Sequence, residues 1–198
     1  MPRRTYDEAQ QTRDRILRSA IDICTKAGYE GLSLSAVAER AKVTRGAVYH
    51  HFQNKEGLFL SMVEVLLEEM GRKILAAADK VAAEVPRDTW KALVAGCLTF
   101  LAESQAPRYQ RIVLTDAPAV MGISRWQALD YAYTTRTLTE ALEELRGIGE
   151  VSVSDPEAAA QALSGAMNQL SLWVSGGNPA SVAEEMLLRL LSSVRAAP

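Results

Sequence analysis

The stretch Ser33–Phe52, SLSAVAERAKVTRGAVYHHF, constrains this chain more than any other. Val37, Ala38 and Ala41 fall on one stripe at helical spacing, with Glu39 and Arg40 on the other face. Ser33 stands where a hydroxyl can accept a backbone N–H that the first helical turn leaves unpaired. The pattern breaks at Lys42-Val43, and Thr44 repeats the capping role for a second helix with Arg45, Gly46 and Ala47 in its first turn. Val48 and Phe52, four apart, face inward, whereas Tyr49 and His50 face outward. Asn54 caps a third helix that starts at Lys55. Two short helices joined by a tight turn, the second opening with small and basic residues, form the layout that sets one helix into the major groove of DNA.

The first turn of that second helix has no bulk beyond Arg45, and its free N–H groups attract phosphate oxygens. A glycine inside a short helix costs about 0.8–1 kcal/mol relative to alanine, so Gly46 is better explained by close backbone approach than by stability. Charge is distributed to match. The whole chain carries a net charge of −2, but residues 1–55 hold ten Lys and Arg against six Asp and Glu, leaving the acidic excess to the rest. The basic surplus lies where the motif lies, and the acidic part resists unspecific adhesion to DNA. Arg3 and Arg4 precede the first helix and serve either as a basic arm or as a tail without contacts.

From Thr12 to Leu66 the chain resembles the DNA-binding domain of TetR-family transcriptional regulators. The resemblance rests on AGYEGLSLSAVAERAKVTRGAVYHHFQNKEGLF, in particular Gly28, Ser33-Leu34, Val37-Ala38, Ala41-Lys42-Val43, the run Gly46–Phe52, Lys55 and Leu58. Val48 stands where Leu or Ile is more usual, and either serves as a core residue. The resemblance implies a homodimer with a variable C-terminal ligand-binding domain, usually a repressor that a small molecule releases from its operator. On that basis Thr44 and Arg45 contact a base edge or phosphate. Gly46 and Ala47 permit close approach, with Ala47 against a thymine methyl. Tyr49, His50 and Lys55 hold phosphates, Tyr49 being the firmest carry-over from the family, and Ser33 and Ser35 touch the flanking backbone.

Composition points to an all-α, cytoplasmic protein of 198 residues, rich in Ala, Leu, Glu and Arg. Cys24 and Cys97 sit in apolar helical patterns and read as buried small hydrophobes. Neither metal-type Cys/His spacing nor a secretory signal appears, and no apolar run approaches the ~20 residues of a membrane helix. No cofactor, metal or catalytic residue is expected. His50 and His51 are adjacent and point about 100° apart on a helix, so they do not share a substrate. Glu68-Glu69, Glu143-Glu144 and Glu184-Glu185 read as solvated faces. The rival to a DNA-reading regulator is a helical-bundle ligand-binding or interaction protein that no longer reads DNA. The intact Thr44–Ala47 start and Tyr49, His50 and Lys55 argue against it.

The pattern divides the chain into a DNA-binding part, 1–55, and a ligand-binding and dimerisation part, 56–198. Helices are expected at about 7–27, from Asn54 to about Glu84 with Val85-Pro86 as the stop, at about 88–103, from Pro107, at about 124–146, at 156–175 and from Ser181 to about Arg195. Asp155-Pro156 supplies a cap and a first-position proline, Ser181 and Glu184 form a capping box, and Pro118 and Gly122 make 114–123 a loop. Small residues Ala159, Ala162 and Ala166 with Leu170, and Leu187, Leu190, Leu191 and Val194, make the last two helices the expected dimer interface. Two recognition helices about 34–36 Å apart would then read a near-palindromic operator. Leu93, Cys97, Phe100, Met121, Trp126, Tyr133, Met167, Leu170 and Trp173 are the expected lining of an apolar effector cavity, each also explicable as plain core. Asp116 and Arg125 flank the Pro–Gly segment, as a polar anchor or an exposed pair.

Overall fold

The computed structural model describes residues 2–85 and 88–196, with side chains from Asp7 onward. The described residues form an all-α protein; their one extended pairing is an isolated bridge between Val151 and Arg195. The helices are α1 Pro2–Ala27, α2 Leu34–Ala41, α3 Arg45–Phe52, α4 Lys55–Glu84, α5 Thr89–Glu103, α6 Pro107–Tyr109, α7 Ala117–Met121, α8 Ile123–Asp130, α9 Arg136–Gly147, α10 Pro156–Ser175 and α11 Ala180–Val194. Two wider-wound π-helical stretches join some of them: Gln110–Asp116 between α6 and α7, and Tyr131–Thr135 between α8 and α9.

The chain forms two compact units. The first runs through Leu66 and adds Pro107–Gly122; the second takes Leu67–Ala106 and the chain from Ile123 onward. The expected division at residue 55 therefore differs from the compact units in two ways. The first twelve residues of α4 belong with the N-terminal unit, because Leu58, Phe59, Met62 and Val63 are fully buried there. So does a segment about forty residues further along the chain, whose Ile112, Val113 and Ala117 are equally buried. Ile16, Ala20 and Cys24 of α1, Val37 of α2 and Val48 of α3 complete that core. Each fully buried Val, Leu, Ile, Met or Phe contributes about 1.5–3 kcal/mol relative to exposure. In the second unit Leu142, Leu145, Ala160, Leu187 and Leu191 are buried from α9, α10 and α11.

Several caps follow the sequence. Thr44 accepts the Ala47 N–H at 3.1 Å, Asn54 accepts the Gly57 N–H at 2.8 Å, and Asp155 accepts from Glu157 and Ala158. Others do not. Ser33 occupies an extended N-cap position, but its hydroxyl makes no capping bond. α11 begins one residue before Ser181, after Pro179, and the Ser181–Glu184 box does not form. The expected loop at 114–123 is helical as far as Met121. Pro118 lies in the first turn of α7, where its missing N–H costs nothing, and only Gly122, at φ +81°, breaks the chain. The expected single helix over 124–146 is interrupted by its π stretch. There α4 passes close by: a Cβ on Gly71 would lie 2.5 Å from the Tyr133 carbonyl oxygen, so only glycine permits the approach. Arg3 and Arg4 fall within the helical backbone of α1, and their side chains lie outside the described residues, as does Pro86.

Candidate nucleic-acid interface and ligand cavity

The turn between α2 and α3 is made by Lys42 in the left-handed region, φ 54° and ψ 47°, which lets its N–H and that of Val43 close onto the last turn of α2. Val48 and Phe52 anchor α3 from beneath, and the Arg13 guanidinium lies 5.5 Å from the centre of the Phe52 ring. The opposite face is open. Thr44, Arg45, Gly46 and His50 are exposed, Ala47 is half-buried, and Tyr49 is 46% exposed. Ser33 and Ser35 are exposed on α2. A Cβ on Gly46 would meet only the Thr44 hydroxyl, at 3.8 Å, so nothing inside the protein requires glycine there. Lys55 is partly committed elsewhere: its ammonium donates to the Glu30 carbonyl at 3.3 Å and sits 4.4 Å above the Tyr29 ring. Burial, then the neighbouring His50 and Arg13, hold the His51 imidazole below its ordinary pKa.

Behind this surface the N-terminal unit is tied by a buried carboxylate that the sequence places in an ambiguous role. Asp116 accepts the backbone N–H of Tyr29 at 2.7 Å and the Arg111 Nε at 3.2 Å. Gly28, at φ +69°, ends α1 just before that bond. A Cβ there would collide with the Arg111 guanidinium, so glycine serves both the left-handed turn and the close stacking of arginine over it.

The second unit holds a partly open cavity of about 350 Å³. Its apolar walls are Ile74, Leu75 and Ala78 of α4, Leu93, Gly96, Cys97 and Phe100 of α5, Leu138 of α9 and Met167 of α10. Of the nine expected lining residues, Leu93, Cys97, Phe100 and Met167 are there. Met121, Trp126, Tyr133, Leu170 and Trp173 are not: Met121 belongs to the other compact unit, and Trp173 lies in an exposed position on α10. Sequence reasoning weighted aromatics and missed α4, together with the hydroxyls of Thr134, Thr135 and Ser164. An Asp130–Thr134 spacing of four on one helix was the available signal. Burial pushes the Cys97 thiol up to about 12; the Cys24 thiol, in the other unit, is raised to about 11 by burial first and then by the Asp116 carboxylate.

On the outer helices, Leu187 and Leu191 are fully buried within their own unit, so neither can offer surface to a partner, contrary to expectation. Every fourth residue of α11 turns to the core here, and the intervening ones stay out. Val182 and Met186 are each 46% exposed and Leu188 is 42% exposed. Ala162 of α10 is exposed, and Ala159, Ala166, Leu170, Leu190 and Val194 are partly accessible.

This is the architecture of a helix-turn-helix protein with a separate helical C-terminal unit. Residues 16–62 match the family of bacterial regulatory proteins of the tetR type, and residues 90–194 match the Tetracyclin repressor-like C-terminal domain. The chain belongs to the TetR family of transcriptional regulators. It is 41% identical over 71 residues to the HTH-type transcriptional regulator AcrR of Shigella flexneri, a match covering 36% of this chain and 33% of that protein. The chain thus spans about a third of the length of AcrR. It is 30% identical over 115 residues to the uncharacterized HTH-type transcriptional regulator TtgW of Pseudomonas putida, covering 58% and 81% respectively. A TetR-family regulator from Pectobacterium atrosepticum superposes with a TM-score of 0.75 at 27% identity, over 97% of this chain and 98% of that one. No helix among the described residues is long and apolar enough to cross a membrane.

Proposed function

We propose that this protein is a homodimeric repressor that binds a near-palindromic operator and leaves it when a small, mostly apolar molecule enters the C-terminal cavity. The observation that carries the DNA-binding half is the open start of α3. Thr44, Arg45 and His50 are exposed, and Gly46 has no structural need to be glycine. Close backbone approach to DNA explains that glycine; the fold does not. Arg45 and Thr44 are assigned to base edges or phosphate, Ala47 to a thymine methyl, Tyr49 and His50 to phosphates, and Ser33 and Ser35 to the flanking strand. Lys55 is assigned to a phosphate on condition that it leaves the Glu30 carbonyl.

Effector release is supported by the cavity and by the chain's order. α4 begins three residues after the recognition helix and later forms one cavity wall; α5 forms another and leads through Pro107 to Asp116, which holds Tyr29. A ligand that resets α4 and α5 would therefore change the spacing of two recognition helices in a dimer. The exposed apolar residues Val182, Met186 and Leu188, with the small residues of α10, are assigned to that dimer.

The test is binding of the purified chain to its own upstream intergenic DNA, titrated against salt, with a scrambled fragment as control. The expected result is a strong preference for the intergenic fragment. Failure to prefer it, followed by failure to enrich any fragment in a genome-wide selection, would leave the reading of a ligand-binding bundle without DNA recognition.

A further inference from the structure

On the reading that the C-terminal cavity holds the effector, its polar lining decides the effector's chemical class. The Asp130 carboxylate is buried at the junction of α8 and the π stretch. The Thr134 hydroxyl lies 2.8 Å from one of its oxygens and 2.8 Å from the Asp130 backbone carbonyl; the other carboxylate oxygen accepts from Ser164 at 3.1 Å and from Thr135 at 3.2 Å. Thr135 also lies 3.0 Å from the Ser164 oxygen. Among the described residues Asp130 has no cationic partner. Thr134, Thr135 and Ser164 line the cavity and are themselves buried. Each hydroxyl has a single proton, and each proton is spent inside the Asp130 network. A hydroxyl oxygen of this set that meets a ligand offers a lone pair and no free proton.

The remaining charges have the same sign. Asp79, Asp88, Glu140 and Glu144 lie along the lining, and no Lys, Arg or His does so among the described residues. Asp88 is paired with Lys91 at 2.7 Å, and Glu140 faces Arg136 at 3.9 Å. Asp79 and Glu144 have no ion pair among the described residues. Both are exposed, so water screens them and they act mainly by attracting ligand to the mouth. The Thr89 and Thr137 hydroxyls rotate to suit either kind of partner and do not discriminate.

We propose that the effector is an apolar molecule bearing a cationic nitrogen, an ammonium or protonated amine, seated with its apolar body against Leu93, Phe100 and Met167. Its nitrogen faces the hydroxyl oxygens that Asp130 backs. The bound cation supplies the counter-charge that the buried Asp130 lacks, and burial of that carboxylate strengthens the Coulomb attraction. A carboxylate or phosphate ligand would meet no committed donor and would lie beside a buried negative charge.

The test is titration calorimetry on the full chain with three probes of one skeleton: phenylbutylamine, phenylbutanol and phenylbutanoate. The amine is expected to bind at least roughly tenfold more tightly than the carboxylate, as hydrogen bonds to charged groups imply, with the alcohol between them. Asp130→Asn, checked for folding by circular dichroism, is expected to remove most of the amine's advantage and leave the alcohol unchanged. Glu144→Gln, at an exposed position that does not put the fold at risk, is expected to weaken the amine slightly and flatten its salt dependence. Ala92→Phe, which fills the cavity, is expected to abolish binding of all three. Alcohol or carboxylate binding as tightly as the amine, and lost in Ala92→Phe, would overturn the cationic class while leaving the site intact. Absence of binding by every probe, or binding that Ala92→Phe does not touch, would overturn the site and the class together.

Discussion

The two compact units spend their apolar residues differently. The N-terminal unit buries them almost completely under a polar surface: Ile16, Val37, Val48 and Leu58 are fully buried, while the groups facing out on α3 are polar, cationic or glycine. The C-terminal unit does the opposite in two places. It leaves a partly open cavity of about 350 Å³ between its helices, far more space than the water-sized holes of a close-packed interior. It also leaves Val182, Met186 and Leu188 in solvent on the outside. On the proposed function, the N-terminal unit is the one that faces DNA, and its close packing holds α3 in a fixed frame. On the same proposal, the C-terminal unit gives up packing at the two places where an effector and a second copy would supply it.

The sharpest way to break this comparison is within α11, between neighbours one residue apart. Leu187→Ala, in the core, is expected to lower stability by about 2–5 kcal/mol in thermal or denaturant unfolding. Met186→Glu, on the exposed face, is expected to leave each subunit folded and to shift sedimentation from dimer to monomer. Equal unfolding by both would erase the distinction between core and interface. At the other unit, Arg45→Ala is expected to reduce operator affinity by about 1–3 kcal/mol in a mobility-shift titration and to spare non-specific binding. Equal loss on both DNAs would move Arg45 from base readout to phosphate. Gly46→Ala should separate stability from function. The fold is expected to gain up to about 1 kcal/mol, and operator binding is expected to weaken because a methyl enters the contact surface. Unchanged DNA affinity would remove the close-approach explanation.

The smallest expected effect is a pH dependence at His51. Its folded-state pKa is held below the ordinary 6.5, so the unfolded chain takes up the proton first. Stability is therefore expected to be constant above about pH 7 and to decline as pH falls through 6.5 toward the folded value. His51→Gln should flatten that part of the profile in denaturant titrations at stepped pH. An unchanged slope would show that another group titrates there.

How much could be read in advance depends on whether a feature is local. Capping by Thr44, Asn54 and Asp155, the inward placement of Val48 and Phe52, and the turn at Gly28 each depend on residues within about one helical turn, and the sequence alone is enough to place them. The helix-turn-helix was legible for the same reason, because both of its helices and the turn between them lie on one continuous segment. Pro118 was misjudged because a proline is a breaker within a helix and harmless in its first turn, and which applies depends on where α7 starts. Leu187 and Leu191 were misjudged because α11 is apolar over a wide face, and periodicity does not say which part of it meets its own unit. The cavity lay furthest out of reach. Its wall comes from α4, α5, the π stretch, α9 and α10, and the residues that give it chemical character, Asp130 with Thr134, Thr135 and Ser164, become a network only when helices separated by some thirty residues pack together. The sequence by itself determined an all-α regulator with a DNA-reading helix, because hydrogen bonding and periodicity along one segment suffice for that. Tertiary packing alone decided where Asp116 is spent, which leucines are core and what the cavity presents to a ligand, because burial and polar pairing belong to the assembled helices and to no single one of them.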